Sequence, residues 1–155
     1  MEALKANEIM IGDWMFVDDV EHLRPMQIGT IKNRSGNFWA ELSSQNGLGI
    51  EHCECKLSKL VPIEINERVL ERSGFQLGTG RFCSILDWIW RDTRANVTVI
   101  VTHKPLDLPR RVTINAYTQD EDEHTIIDTP IQYVHELQHL LSFCGVSLEL
   151  KVRRI

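Results

Sequence analysis

The clearest regularity in the chain runs from Arg110 to Thr118. Val112, Ile114 and Ala116 fall on one face and Arg111, Thr113 and Asn115 on the other, the period of a half-buried strand. Phe82 to Arg91 and Asn96 to His103 fit two more strands, separated from it and from each other by polar or proline-bearing turns. Nearer the N-terminus, a Gly12-Asp13 turn signal opens onto the strand formers of Met10 to Val17. Gln27 to Lys32, Phe38 to Ser43 and Gly49 to Leu57 follow as further short strands. The clusters Asn33 to Asn37 and Ser44 to Gly47 separate them. Short strands at this spacing predict a small β-barrel-like (SH3-like) unit over residues 1–62.

Val61-Pro62-Ile63-Glu64-Ile65 reads as the connector into a second, α+β unit over residues 63–155, unless the two merge into one core. Asn66 can cap a short helix over 66–73, with Gly74 as its left-handed stop and Phe75 as the apolar residue beyond. A closing helix is expected over 130–144, because Asp128-Thr129 supplies a cap, Pro130 suits the first helical position and Gly145 suits the stop. Val146 to Val152 is expected to return as an edge strand. The predicted class is therefore α+β, an antiparallel sheet with a closing C-terminal helix following the small barrel.

Composition narrows the function classes. The chain has 155 residues, 43% hydrophobic and 25% charged, with a formal charge of −5. That is the mixture of a globular protein. Its longest apolar stretches are about five residues, as in Val97 to Val101, too short to cross a bilayer. Met1 to Gly12 lacks the apolar core of a secretory signal. The four cysteines, Cys53, Cys55, Cys83 and Cys144, are too scattered for the framework of a secreted scaffold, so a cytoplasmic location is expected. Residues 1–65 carry six basic and ten acidic groups, and residues 66–155 carry eleven and twelve. Neither is a basic field for a phosphate backbone, so a protein partner is expected over nucleic acid. The pairs Arg110-Arg111 and Arg153-Arg154 read as solvated charges.

One motif asks for chemistry. His135-Glu136-Leu137-Gln138-His139 matches H-E-x-x-H, in which two imidazoles one helical turn apart bind zinc and the glutamate polarises the bound water. It would make the protein a zinc-dependent hydrolase, most simply a peptidase. Against it, six His and thirteen Glu give roughly 0.02 chance matches in one chain of this size, so the motif is weakly specific. With 100° per residue and Leu137 at the centre, Tyr133, Val134, Leu140, Leu141 and Cys144 form the apolar face. His135 and His139 lie about 160° away beside Gln132, Gln138 and Ser142, a face expected to meet solvent unless another layer covers it. Ser142 and Gly145 stand where the extended zincin pattern needs glycine and a third histidine. A third ligand would have to be Glu149, His124, Asp128 or His103. The favoured expectation is no cofactor, with zinc at His135 and His139 and Glu136 as base the alternative.

Smaller candidates resolve the same way. On a strand, Cys53, Cys55 and Leu57 point one way and His52, Glu54 and Lys56 the other, so His52-Cys53-Glu54-Cys55 reads as core-facing reduced thiols. Asp120 to His124 lacks the glycine and terminal glutamate of a calcium loop and reads as a solvated connection. Trp14, Trp39, Trp88 and Trp90 would suit a stacking platform, but Leu86, Trp88 and Trp90 share a strand face and read as core.

Three blocks also carry a resemblance: Lys5 to Trp14; Leu60-Val61-Pro62-Ile63 through Leu70 to Gly74-Phe75; and Ile131, Tyr133-Val134-His135, Leu137-Gln138, Gly145 and Leu148. They resemble a group of short uncharacterised proteins from gut bacteria and their phages or mobile elements, over most of the chain. That group brings no activity with it. Its closing helix reads Y-V-H-x-L-Q-N, with an amide at the position of Glu136 and Asn at that of His139. The resemblance implies that the H-E-x-x-H match is accidental and that Tyr133, His135 and Gln138 are the better binding candidates. The expected function is a non-enzymatic accessory or interaction module of phage or mobile-element type.

Overall fold

A computed structural model describes residues 4, 8–18, 23–46, 49–79, 86–102, 109–118 and 122–152. The chain divides into two compact units. The first is Met1–Glu64 with Tyr133–His135 and Val152–Ile155, and the second is Ile65–Gln132 with Glu136–Lys151. The class is α+β: two five-stranded antiparallel sheets and two helices.

In the first unit, β1 (Trp14–Asp18), β2 (Leu23–Arg34), β3 (Asn37–Asn46), β4 (Gly49–Lys56) and β5 (Leu60–Pro62) form a sheet in the order β4-β3-β2-β1-β5. A 3-10 turn, Leu57–Lys59, joins β4 to β5. Alternation sends Met15 and Val17, Met26 and Ile28, and Ala40 and Leu42 to one side, where they form the core with Ile9, Leu57 and Leu60. β2 pairs with β1 through Leu23 to Gln27 and with β3 from Gln27 to Arg34, its register shifting between Ile28 and Thr30. A shift of this kind bends a strand and lets one long strand serve two partners. Ser35 and Gly36 both have positive φ, 52° and 85°, which gives the two-residue turn between β2 and β3 a twist matching its strands. The ladders run from β4 to β5, and no ladder joins those two edges among the described residues. The expected connector at 61–65 is in part strand: Val61 pairs with Phe16, and Pro62 is tolerated because β5 is an edge.

The second unit opens with α1 (Glu67–Arg72). Asn66 caps it as expected, its side chain accepting the Val69 N–H at 3.0 Å. Gly74, at φ 91°, ends it: the Gly74 N–H reaches the Glu71 carbonyl and the Phe75 N–H the Leu70 carbonyl, both at 3.0 Å. Then come β6 (Gln76–Thr79), β7 (Leu86–Asp92), β8 (Val97–Thr102), β9 (Arg110–Tyr117) and β10 (Glu123–Ile131), in the order β10-β9-β8-β7-β6. Trp88, Val99, Val101, Val112 and Ile114 are buried on one face, as the alternation predicts. Asn115, on the other face, is buried too, and its amide donates to Glu123.

The closing helix, α2, is Val134–Phe143 rather than 130–144. Asp128, Thr129 and Pro130 belong to β10, paired with Thr113, Val112 and Arg111. The cap-and-proline signal is local, whereas β10 is an outer strand where proline costs no ladder bond. Gly145, at φ 67°, does stop α2, with the Val146 N–H on the Leu141 carbonyl at 2.8 Å. Residues 146–152 are not a strand. There the Lys151 N–H is satisfied by the Ser73 hydroxyl at 2.9 Å instead of by a ladder. Phe82, Cys83, His103, Asp120, Glu121, Arg153 and Arg154 lie outside the described residues. No described helix is long and apolar enough to cross a membrane.

Candidate functional site

The H-E-x-x-H segment takes its setting from the backbone just before it. Tyr133 forms a bridge with Glu64, and the Val134 N–H donates to the Ile63 carbonyl at 2.8 Å. Both contacts lie within the first unit and tie the entry to α2 to the residues just after β5. His135 follows directly and is only 4% exposed, its ring stacked on Tyr133 with centroids 5.7 Å apart and planes 13° from parallel. The helical wheel places His135 on the polar face, expected to meet solvent unless another layer covers it, and in the structure it is covered. The helix is entered through a pairing of Tyr133 with Glu64, 69 positions earlier, which a one-helix projection does not contain.

Glu136 lies in the first turn, where unpaired N–H groups gather and the helix dipole favours negative charge. Its Oε2 accepts the Gln132 N–H at 2.7 Å. A carboxylate reaching back over the helix start is a capping arrangement, giving this glutamate a structural role that needs no metal. Gln138 and His139 are half-buried further along α2. Of the expected third ligands, Asp128 accepts from Arg111 Nε at 3.1 Å and Nη2 at 2.9 Å. His124 and Glu149 are exposed, and His103 lies outside the described residues. No group of three His, Cys, Asp or Glu able to hold a metal occurs among the described residues.

The C-x-C segment lies on β4 as the alternation predicts. Cys53 and Cys55 are half-buried against the first unit's core, while His52, Glu54 and Lys56 are exposed. The two thiols lie within hydrogen-bonding reach of each other, and burial together with this neighbour pushes Cys55 up to about 12. Cys53 also lines a cleft of about 320 Å³ with Val17, Arg24, Met26, Glu51 and His52.

The side of β2, β3 and β4 that faces away from that core carries an arrangement the sequence reading missed. Trp39 lies on it, with the Arg34 guanidinium 5.5 Å and the Lys56 ammonium 5.7 Å from the ring centroid. Arg34 also forks onto Glu54, at 2.5 and 3.0 Å. Lys32 pairs with Glu41 and holds its carboxyl below the ordinary value. Phe38, at the hairpin end, is 40% exposed but alternates with Trp39 and projects to the other side of β3. The signal was present: alternation alone puts Lys32, Arg34, Trp39, Glu41, Glu54 and Lys56 on one face. The register that joins them across three strands is not local information. Trp88 is buried, in line with its core reading, and Trp14 and Trp90 are half-buried.

No family model, curated protein or solved structure matches this chain.

Proposed function

We propose that this chain is a non-enzymatic interaction module whose first unit is an SH3-like small barrel, binding a protein partner on the outer face around Trp39. The observation that carries the reading is the aromatic–cation face itself: an indole between Arg34 and Lys56 on the solvent side of a sheet. Aromatic and arginine side chains dominate the binding energy of protein interfaces. The barrel reading draws support from the strand order, the long shifted β2 shared by two neighbours, and the 3-10 turn leading into β5. That part is analogy at the level of fold. Resemblance to phage and mobile-element proteins, together with the acidic balance, fits a cytoplasmic accessory role with a protein partner. Such a partner would bring carboxylates to Arg34 and Lys56 and an apolar side chain to the indole.

The zinc hydrolase finds less support, because Glu136 caps its own helix and His135 is stacked on Tyr133. The deciding experiment compares wild type with Trp39→Ala and Glu136→Gln. A cross-linked partner captured by wild type and by Glu136→Gln but lost with Trp39→Ala supports the module. One zinc held per chain, with peptide cleavage abolished by Glu136→Gln, overturns it.

A further inference from the structure

Two sulfur groups and a cleft coincide in the first unit, and interaction through the Trp39 face makes no use of them. Cys53 and Cys55 project to the same side of β4 and approach each other within hydrogen-bonding reach. Both are reduced. Cys53 opens onto the cleft of about 320 Å³, whose lining includes a third soft sulfur, Met26, and one cation, Arg24. Arg24 pairs through Nη1 with Glu51, which also lines the cleft, at 3.6 Å, and its buried Nε has no hydrogen-bond partner. A fully structural thiol pair needs no cleft beside it.

We infer that Cys53 and Cys55 form a two-thiolate site for a soft monovalent cation of the copper(I) class, with the Met26 thioether at hand. Thiolate and thioether donors select Cu(I), which is satisfied by two or three sulfurs. Zinc in a structural site takes four ligands, and no described group of His, Cys, Asp or Glu supplies even three. The step balances without redox change. Two S–H bonds break, two S–Cu bonds form, two protons leave to solvent, and the bis-thiolate copper(I) complex carries one negative charge. Both thiols are half-buried, so solvent meets part of that charge, and the Arg24 Nε, without a hydrogen-bond partner, lines the same cleft.

The test uses the full chain, reduced and kept anaerobic, titrated with Cu(I) in competition with a chromophoric Cu(I) chelator. We expect one Cu(I) withheld per chain, with a near-ultraviolet thiolate-to-copper absorption band. A Cys83→Ser/Cys144→Ser double variant should retain it, while Cys55→Ser should weaken binding by at least about tenfold. X-ray absorption at the copper edge of the wild-type complex gives a reading independent of any variant, and should show only sulfur neighbours, two or three. Nitrogen or oxygen donors, retention undiminished in Cys55→Ser, or loss in the Cys83/Cys144 variant would each overturn the site. So would Zn(II) held as tightly as Cu(I).

Discussion

Glu136 and Cys55 are side chains whose ordinary chemistry the fold redirects. Glu136 sits in a peptidase-like motif, yet its Oε2 accepts the Gln132 N–H at 2.7 Å. Glu136→Ala is expected to lower stability by about 1 kcal/mol, the usual worth of a capping contact, as read by chemical denaturation. Glu136→Gln keeps an acceptor and should lose only a few tenths of a kcal/mol. A catalytic base would show the opposite ranking in consequence, since the amide ends the chemistry while sparing the cap. Cys55 is raised from an ordinary thiol value of 9.0 to about 12. The folded chain therefore keeps a proton that the unfolded chain has released between those two values. Stability from this group is complete below about pH 9 and is lost as the pH climbs towards 12. Chemical denaturation of wild type at pH 8 and at pH 10.5 should show a steeper loss than in Cys55→Ala. Alkylation at neutral pH should proceed at Cys55 far more slowly in the native chain than in the unfolded one, because the thiolate is the nucleophile.

Among the elements, legibility tracked how local the deciding interaction is. α1 was readable because its start and stop are both made within a few residues: the Asn66 side chain on Val69, and Gly74 at φ 91°. Asn66→Ala should cost about 1 kcal/mol, and Gly74→Ala about the same or more, since alanine resists positive φ. Thermal unfolding of each variant checks both. β10 was misread by the same local logic. Asp128-Thr129-Pro130 has every mark of a helix start, but pairing with Val112 and its neighbours on β9 decides the conformation. β6 went unseen because Gln76–Thr79 is four residues long and offers little alternation, and its place comes from Ile89 and Trp88 opposite. His135 and the Trp39 face escaped for a related reason. Alternation says which side of an element a residue occupies, but not what the chain lays over that side. Arg34 and Lys56 reach Trp39 from two different strands, so the site exists only once register is set.

For the whole molecule, the two units are not two consecutive lengths of chain. The first takes in Tyr133–His135, and the second reaches on to Lys151. A fragment ending at Glu64 keeps all five strands of the first sheet but leaves the Ile63 carbonyl without the Val134 N–H and Glu64 without Tyr133. Such a fragment is expected to unfold at lower temperature and less cooperatively than the full chain, as followed by circular dichroism, and adding residues 65–128 should not rescue it. The bond between Lys151 and the Ser73 hydroxyl spans 78 positions. On the ribosome, then, a nascent chain exposes its finished β1–β5 meander long before the backbone groups that complete either unit have been made. Until then the cell holds a half-furnished sheet whose edge at Ile63–Glu64 is open to any other strand, which makes a chaperone bound during synthesis the expected early companion of this protein.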